Sequence, residues 1–452
     1  MMPIDSMQTA QGQTAHRQTD IAIVGGGLVG ASLALALAQL RLSVTLFEAH
    51  PFGVTDQPSF DDRTTAISNG SRRIFEGIGL WPLLERDATP IRRIHISDQG
   101  RFGFARIDAE EQQLAALGYV LTNRAMGAAL WQRLNEAAPT DATATDALTV
   151  RPSMPAITTI APARVTSIDV AGDRRLVTFE QGAGLSKQSG SVAAKLVIAA
   201  DGARSTVRES AGIAAQTWNY DQVAVTANIH TQKFHDHVAY ERFTPSGPIA
   251  ILPLSEARSG LIWTLAPEAA KAILALDDAA FLARLQQEFG FRLGRITKVG
   301  RRQTYPLSLT RADEYVAERL AVVGNAAQAL HPIAGQGFNL GLRDAASLAE
   351  VLADARAPSS GAFDAGDGLH LQRYGEWRRA DRSRIVGFTD GLVRLFTQPF
   401  GPVKLLRDAG LLAFDLLPAA KDALSQLSLG AAGKVPRLAR GGKLSAGPQH
   451  AS

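Results

Sequence analysis

The chain has 452 residues, 46% of them hydrophobic, enough for two or three domains with substantial cores. It contains no cysteine, which excludes disulfides, thiolate metal sites, iron–sulfur clusters and catalytic thiols. Its 47 basic and 43 acidic side chains leave a net charge of +4, too small over this length to argue for nucleic acid, and no basic tract carries interleaved aromatics.

Residues 1–19 are polar and lack the apolar core of a signal peptide, so they are expected to form a disordered lead-in, which argues against export. The longest apolar stretches, such as Leu33–Leu40, fall well short of the roughly 20 residues of a membrane span. Ile21–Val24 is predicted as a buried strand running into Gly25-Gly26-Gly27-Leu28-Val29-Gly30, and Ala31–Leu40 as a buried helix. Strand, glycine turn and helix together form a dinucleotide fingerprint. Gly25 permits the tight turn, Gly27 lets a pyrophosphate approach the backbone, and Gly30 allows helix to pack closely on strand. The second strand, Ser43–Phe47, ends at Glu48, eighteen residues after Gly30, where a carboxylate can accept hydrogen bonds from ribose hydroxyls and disfavours a 2′-phosphate. FAD and NAD both use this pattern.

Segments 139–163 and 355–368, rich in small and polar residues, read as mobile loops. Leu196–Ala199 is predicted as a short strand entering Ala200-Asp201-Gly202-Ala203-Arg204-Ser205-Thr206-Val207-Arg208, which reads either as a solvated turn with a capped helix start or as a ligand loop. Val223–Ile229, Ile249–Leu254 and Leu261–Leu265 suggest an antiparallel sheet, with Trp218, Tyr220, Phe243, Trp263 and Tyr305 as core or pocket aromatics. The strand Leu320–Val323 leads into GNAAQALHPIAGQGFNLGLRD, residues 324–344, and then a helical segment. So many glycines let backbone approach a ligand, and the following helix start offers N–H donors to an oxygen-rich cofactor. From Leu369 onward the chain reads as helical. GFTDGLVRLF and VKLLRDAGLLAFDLL are amphipathic, suited mainly to packing and otherwise to lipid or partner contact, and 441–452 is expected to be a disordered tail. No metal cluster and no nucleophile-elbow motif appears.

Taken in order, GxGxxG, ADGxRSxVR and GNAAxxxxPxxGQGxN resemble the group A flavoprotein monooxygenases, over roughly residues 20–430. The full form GNAAQALHPIAGQGFNLGLRD resembles, within them, the hydroxylases of ubiquinone biosynthesis. The resemblance implies an α/β fold: a Rossmann-like FAD-binding domain of the p-hydroxybenzoate hydroxylase type, an antiparallel-sheet substrate domain and a C-terminal helical region. Because the motifs are spread along the chain, the FAD domain is expected to be discontinuous, from 20–90, 150–215 and 300–375. Substrate-binding regions are then expected at 91–149 and 216–299, and C-terminal helices at 376–440.

The resemblance also implies residue roles. Gly25, Gly27 and Gly30 would hold the FAD pyrophosphate and Glu48 the ribose, with Arg63 near the FAD and Arg124 in contact with the flavin. Asp201 would fix its loop for pyrophosphate or NAD(P)H, and Arg204 and Arg208 would supply positive charge. Asn325 replaces the family's usual aspartate at the ribitol; its amide can accept a hydroxyl but brings no charge. Pro332–Asn339, including Gly335, Gln336, Gly337, Phe338 and Asn339, would face the isoalloxazine ring. His331 and Pro332 are the catalytic candidates, His331 being equally suited to a structural hydrogen bond. The implied reaction uses NAD(P)H to reduce FAD and O2 to form a C4a-hydroperoxide that attacks an electron-rich ring, with a 2-polyprenyl-6-methoxyphenol as substrate. A base near the phenol is expected, and the sequence does not name it. The protein is expected in the cytoplasm, in peripheral contact with the inner membrane and with other ubiquinone-biosynthesis proteins. Rival readings are another ring hydroxylase of the same pathway, a flavin-dependent prenyl reductase, a flavin-binding scaffold and a plain NAD dehydrogenase.

Overall fold

The computed structural model describes residues 17–51, 61–100, 104–138, 157–182, 187–330, 336–356, 363–397 and 433–444. The first strand, Arg17–Val24, lies between Val44–Phe47 and Gln188–Ala199, and all three run parallel. Ile157–Ile160 extends this sheet beyond Val44–Phe47, and Leu320–Val322 extends it beyond Gln188–Ala199. The antiparallel strands Ala163–Ala171 and Arg174–Gln181 continue from the outer half of Gln188–Ala199. Central parallel strands are buried on both faces, which is why they read as unbroken apolar runs rather than alternating ones. Helix Leu28–Ala38 packs between the sheet and helices Asn123–Glu136 and Gln336–Ala355. It is apolar all round, as a helix enclosed on every side must be.

The second sheet has the order Gln328–Ala329, Gln303–Ala312, Ala215–Thr231, Arg258–Leu265, Gly247–Pro253, Val238–Thr244, Arg93–Asp98, Phe104–Asp108, with Ile296–Val299 also on Ala215–Thr231. One face carries Val225, Ile229, Ile251, Leu261 and Trp263 and is sealed by helices Pro267–Leu274 and Asp278–Phe289. The second of these helices starts where the Asp277 carboxylate accepts from the Ala280 N–H at 2.8 Å and stops at Gly290, φ +86°. The opposite face turns toward the parallel sheet. A small third sheet, Thr64–Ser68, Gly118–Thr122 and Thr89–Ile91, sits in the seam. There Ala66, Ile91 and Val120 pack against Ala239, Leu252, Leu254 and Ile262.

Several expected boundaries move. Arg17–Thr19 are strand rather than lead-in, and Ile157–Ile160 is a sheet strand inside the segment read as loop, while 139–156 lies outside the described residues. Helix Asn123–Glu136 buries Met126, Leu130 and Leu134 in the main core, so it belongs with the nucleotide-binding unit rather than a substrate region. Gln303–Ala312 joins the second sheet, not the nucleotide-binding unit. The C-terminal helix begins at Gly368, and Leu438, Ala439 and Leu444 are core residues, so packing continues past 441. The segment VKLLRDAGLLAFDLL lies outside the described residues. Among the described residues no helix is long and apolar enough to cross a membrane, and no group of acidic and histidine side chains could hold a metal.

Candidate active site

The parallel strands end level with one another: Val24 pairs with Phe47 and Ala199, Phe47 with Ile160 and Ala199 with Val322. Gly25, Glu48, Ala200 and Gly324 therefore leave the sheet along one edge, the carboxyl end where open α/β sheets bind ligands. The three motif loops meet there. Gly25 has φ +108°, and a Cβ on it would collide with the Ala200 carbonyl. A Cβ on Gly30 would strike the Gly25 carbonyl, and one on Gly324 or Gly341 would crowd Val29. Glycine is thus required by loop-on-loop contact as well as by room for a ligand. Arg208 ties the second loop to the third, donating to the Ala326 carbonyl at 3.0 Å. Asp201 accepts from the Ser205 hydroxyl and, at 3.2 Å, from the Val207 N–H; burial raises its carboxyl above the usual range against those hydrogen bonds.

These residues fit a dinucleotide. Helix Leu28–Ala38 begins at Gly27 with no side chain capping it, so its first N–H groups are open to a pyrophosphate. Glu48 is buried, accepting from the Gly26 N–H at 2.7 Å and the His50 N–H at 2.9 Å; each oxygen keeps a lone pair for a ribose hydroxyl.

Beside this edge, Arg63 is paired with Asp61 at 2.5 Å and its guanidinium lies 4.3 Å from the Tyr305 ring centroid. The Tyr305 hydroxyl donates to Asp61 at 3.0 Å, and burial raises its pKa while Arg63 opposes the shift. Arg124 is paired with Asp62 at 2.7 Å, a hydrogen bond that holds the Asp62 carboxyl below its usual range. Arg204 and Asn325 are exposed, Asn325 on the 3-10 turn Gly324–Ala326. Gly337 and Phe338 are half-buried in the first turns of the motif helix, with the Phe338 ring 6.1 Å from Phe75.

Asn339 acts as a clamp. Its Oδ1 accepts from the Ser68 N–H at 2.8 Å and the Ser71 hydroxyl at 2.7 Å, and its Nδ2 donates to the Ala66 carbonyl at 3.0 Å. Asn339→Ala would leave a buried donor and acceptor unmet and is expected to cost at least about 2 kcal/mol. Urea unfolding measures this directly; an unchanged midpoint would show that the clamp contributes nothing. His331, Pro332 and Gly335 lie outside the described residues, and Gln336 is the first residue of the motif helix.

The face of the second sheet opposite its helices carries a partly accessible row of side chains. In register across six strands stand Gln303, Thr226, Ile262, Ala250, Glu241 and Ile96. All six are partly accessible, whereas Val225, Leu261, Trp263 and Ile251, alternating with them, are sealed beneath the helices. Tyr305, two residues along from Gln303, places one end of this row at Arg63. Thr64 of the seam lies so close to Gly260 that no Cβ fits there. Glu241 and the strand that carries it, Val238–Thr244, were not anticipated from sequence, nor were Asp61 and Arg378. Trp263 and Phe243 prove to be core, and Trp218 is exposed beneath Arg311.

Residues 18–386 match the model of the family described as FAD binding domain. The chain is 38% identical over 433 residues to "Ubiquinone hydroxylase UbiL" of Rhodospirillum rubrum, covering 95% of this chain and 94% of that protein. It is 33% identical over 402 residues to "3-demethoxyubiquinol 3-hydroxylase" of Escherichia coli, covering 88% and 95%. It is 31% identical over 461 residues to human "Ubiquinone biosynthesis monooxygenase COQ6, mitochondrial", covering 93% and 94%. Among solved structures, p-nitrophenol 4-monooxygenase PnpA of Pseudomonas putida superposes with a TM-score of 0.70 over 91% of this chain and 99% of that one; at 19% identity this is a likeness of fold. FAD is therefore the cofactor, with NAD(P)H the co-substrate typical of the family. The chain belongs to the FAD-binding-domain family, as a flavin-dependent aromatic monooxygenase of the branch that holds the ubiquinone-biosynthesis hydroxylases.

Proposed function

We propose that the protein hydroxylates the ring of a polyprenylated phenol in ubiquinone biosynthesis, with 2-polyprenyl-6-methoxyphenol as substrate, NAD(P)H as reductant and O2 as oxygen donor. The observation that carries this reading is the make-up of that partly accessible row. Thr226, Ile262, Ala250 and Ile96 offer apolar surface to a ring and an alkyl tail, and the row holds one carboxylate and no cation. A benzoate would meet the like charge of Glu241 with no cation in the row, Arg63 at its end being held by Asp61, whereas a neutral phenol does not meet that penalty. Relatives matched over 88–95% of the chain are named as a ubiquinone hydroxylase, a 3-demethoxyubiquinol 3-hydroxylase and a ubiquinone biosynthesis monooxygenase, which supports ring hydroxylation in ubiquinone synthesis.

FAD, when bound, supplies the two-electron and oxygen chemistry. The chain's residues bind and orient. The N–H groups at the start of helix Leu28–Ala38 would take the pyrophosphate, and Glu48 the ribose. Arg63, held by Asp61 and Tyr305, would place positive charge beside the cofactor, and Asp201 would brace the second loop. Gly337 and Phe338 would offer backbone N–H groups to the flavin ring from the start of helix Gln336–Ala355. Arg124, Arg204, Asn325, His331, Pro332, Gly335 and Gln336 take their proposed roles from the family resemblance. The apolar walls would keep water from the reacting atoms.

The test is purified holoprotein with a short-chain 2-prenyl-6-methoxyphenol. Phenol-dependent oxidation of NAD(P)H with matching O2 uptake and a product one oxygen atom heavier is the expected result. Phenol-dependent NAD(P)H oxidation with no O2 uptake would make the protein a reductase. In cells lacking the protein, accumulation of the 6-methoxyphenol agrees with the proposal, and accumulation of a later demethoxy quinone would assign a different ring position.

A further inference from the structure

We propose that Glu241 is the catalytic base of this hydroxylation, taking the proton of the substrate's phenolic hydroxyl as oxygen is transferred to the ring. The inference deepens the function proposed above and depends on it.

Strand alternation sets the direction of the side chain. On Val238–Thr244, Tyr240 packs its ring 5.7 Å from Phe289, and Arg242 donates to the Glu288 carbonyl at 3.0 Å, so both belong to the face covered by helix Asp278–Phe289. Ala239 belongs to the opposite face, in the seam with Val120 and Leu252. Glu241, two residues on, shares that face, between Ala250 and Ile96 of the neighbouring strands. It is surrounded by protein yet partly accessible, the combination expected of a side chain that lines an internal cleft. Among the described residues no hydrogen bond or ion pair engages its carboxylate, which has four lone-pair sites to offer. Its carboxylate oxygens are not sealed from solvent, so a phenol O–H of the substrate can reach and hydrogen-bond to them.

The surroundings also tune the group. Burial alone pushes the Glu241 carboxyl up to about 7. The adjacent strand Gly247–Pro253 has no titratable residue. On Arg93–Asp98, His95 points to the other face, 5.7 Å from Tyr240 and from Phe104, and Asp98, in register with Phe243, stands on the same face as Ile96 two residues along, the one acid of that strand on the Glu241 side. The titratable residue of the small sheet, Tyr119, packs against Trp81 at 4.9 Å. A base whose pKa lies near the working pH is both ionised and strong enough to accept a proton.

The step balances as follows. The phenolic O–H breaks and its proton goes to the Glu241 carboxylate while one atom of O2 forms a bond to a ring carbon. That carbon's hydrogen leaves as a proton to restore the aromatic ring, and Glu241 returns its proton to the phenolic oxygen. The second oxygen atom ends as water, with two electrons from NAD(P)H and one proton from solvent.

The decisive comparison is wild type against Glu241→Gln, both as holoprotein with the prenyl methoxyphenol. The expected result is a loss of product formation on the order of 100-fold or more, with KM changed only a few-fold and NAD(P)H oxidation diverted to hydrogen peroxide. Wild-type turnover should fall as pH drops through about 7, and the variant should lack that limb. A fluorinated phenol, already ionised at pH 8, should restore much of the variant's rate. A variant that hydroxylates at the wild-type rate, or that keeps the limb and gains nothing from the acidic phenol, would overturn the proposal. Two readouts stand apart from turnover. Ultraviolet difference spectra of wild type should show the bound phenol's absorption changing with a midpoint near 7, and no change would also overturn it. In thermal unfolding, a carboxyl raised from 4.5 to about 7 opposes folding once ionised. Glu241→Gln should therefore be the more stable protein above pH 7, with the difference gone below about pH 4.5. If the wild type holds flavin yet makes no hydroxylated phenol, the parent reading fails whatever the variant does.

Discussion

Arg378→Ala is expected to destabilise the fold by about 3–5 kcal/mol and to weaken FAD binding at the same time. Arg378 is fully buried, donating from Nε to Asp344 at 2.6 Å and from Nη1 to Asp381 at 2.5 Å, while Arg343 reaches the same Asp381 oxygen at 2.6 Å. Asp344 spends its other oxygen on the third motif loop, accepting from the Gly324 N–H at 3.0 Å and from Gln328 at 2.6 Å. Removing the guanidinium leaves Asp344 charged and buried beside a loop that must keep its shape, and that uncompensated charge, more than the lost attraction, makes the change severe. Protonating Asp344 would relieve the charge, so the deficit should shrink at low pH. Urea unfolding of apoprotein and holoprotein separates the two effects. A cost below about 1 kcal/mol in the apoprotein would show that the network is not a structural support.

Gly25→Ala is expected to reduce FAD affinity by roughly 100-fold or more, which at about 1.4 kcal/mol per tenfold corresponds to about 3 kcal/mol. Two costs combine there. An alanine at φ +108° is strained by about 1–3 kcal/mol, and its Cβ would collide with the Ala200 carbonyl, forcing the first and second loops apart. Gly202→Ala is the matched control. Gly202 also has a positive φ, +92°, but nothing lies within 4 Å of a Cβ placed there, so this change should show the strain alone. FAD titration of the two variants by flavin fluorescence measures the difference. Equal affinities would mean that loop contact contributes nothing to the cofactor site.

Local chemistry made part of the site readable in the chain itself. Ile21–Val24 reads as a central strand because a four-residue apolar run is too short for a buried helix and is followed by Gly25, Gly27 and Gly30 at the spacing of a nucleotide turn. Glu48 was found for the same reason: it is the first residue past the neighbouring strand, and parallel register brings it back to Gly26. The third loop was legible as a glycine-rich strand-to-helix turn, but the partner of Asn339 was not. Ser68 and Ser71 lie some 270 residues away in sequence, and nothing in either segment announces the other.

What only the tertiary structure decided is pairing at long range. An alternating strand such as Gln303–Ala312 could join either sheet, and an amphipathic helix such as Asn123–Glu136 could cover either unit; only their neighbours in space decide. Arg378 reads as a solvent-facing charge on a basic helix, and only the approach of Asp344 and Asp381 shows it to be interior. Glu241 is the sharpest case. In the run VAYERFT an acid beside an arginine suggests an ordinary surface pair, yet strand alternation turns the two side chains to opposite faces, Arg242 toward a helix and Glu241 into the partly accessible row. Apolar runs, turn glycines and spacing are properties of a single segment, and they carried the cofactor turn and, through the family resemblance of the motifs, the fold class; the face a polar residue presents depends on which strands flank it, and that is settled only by folding.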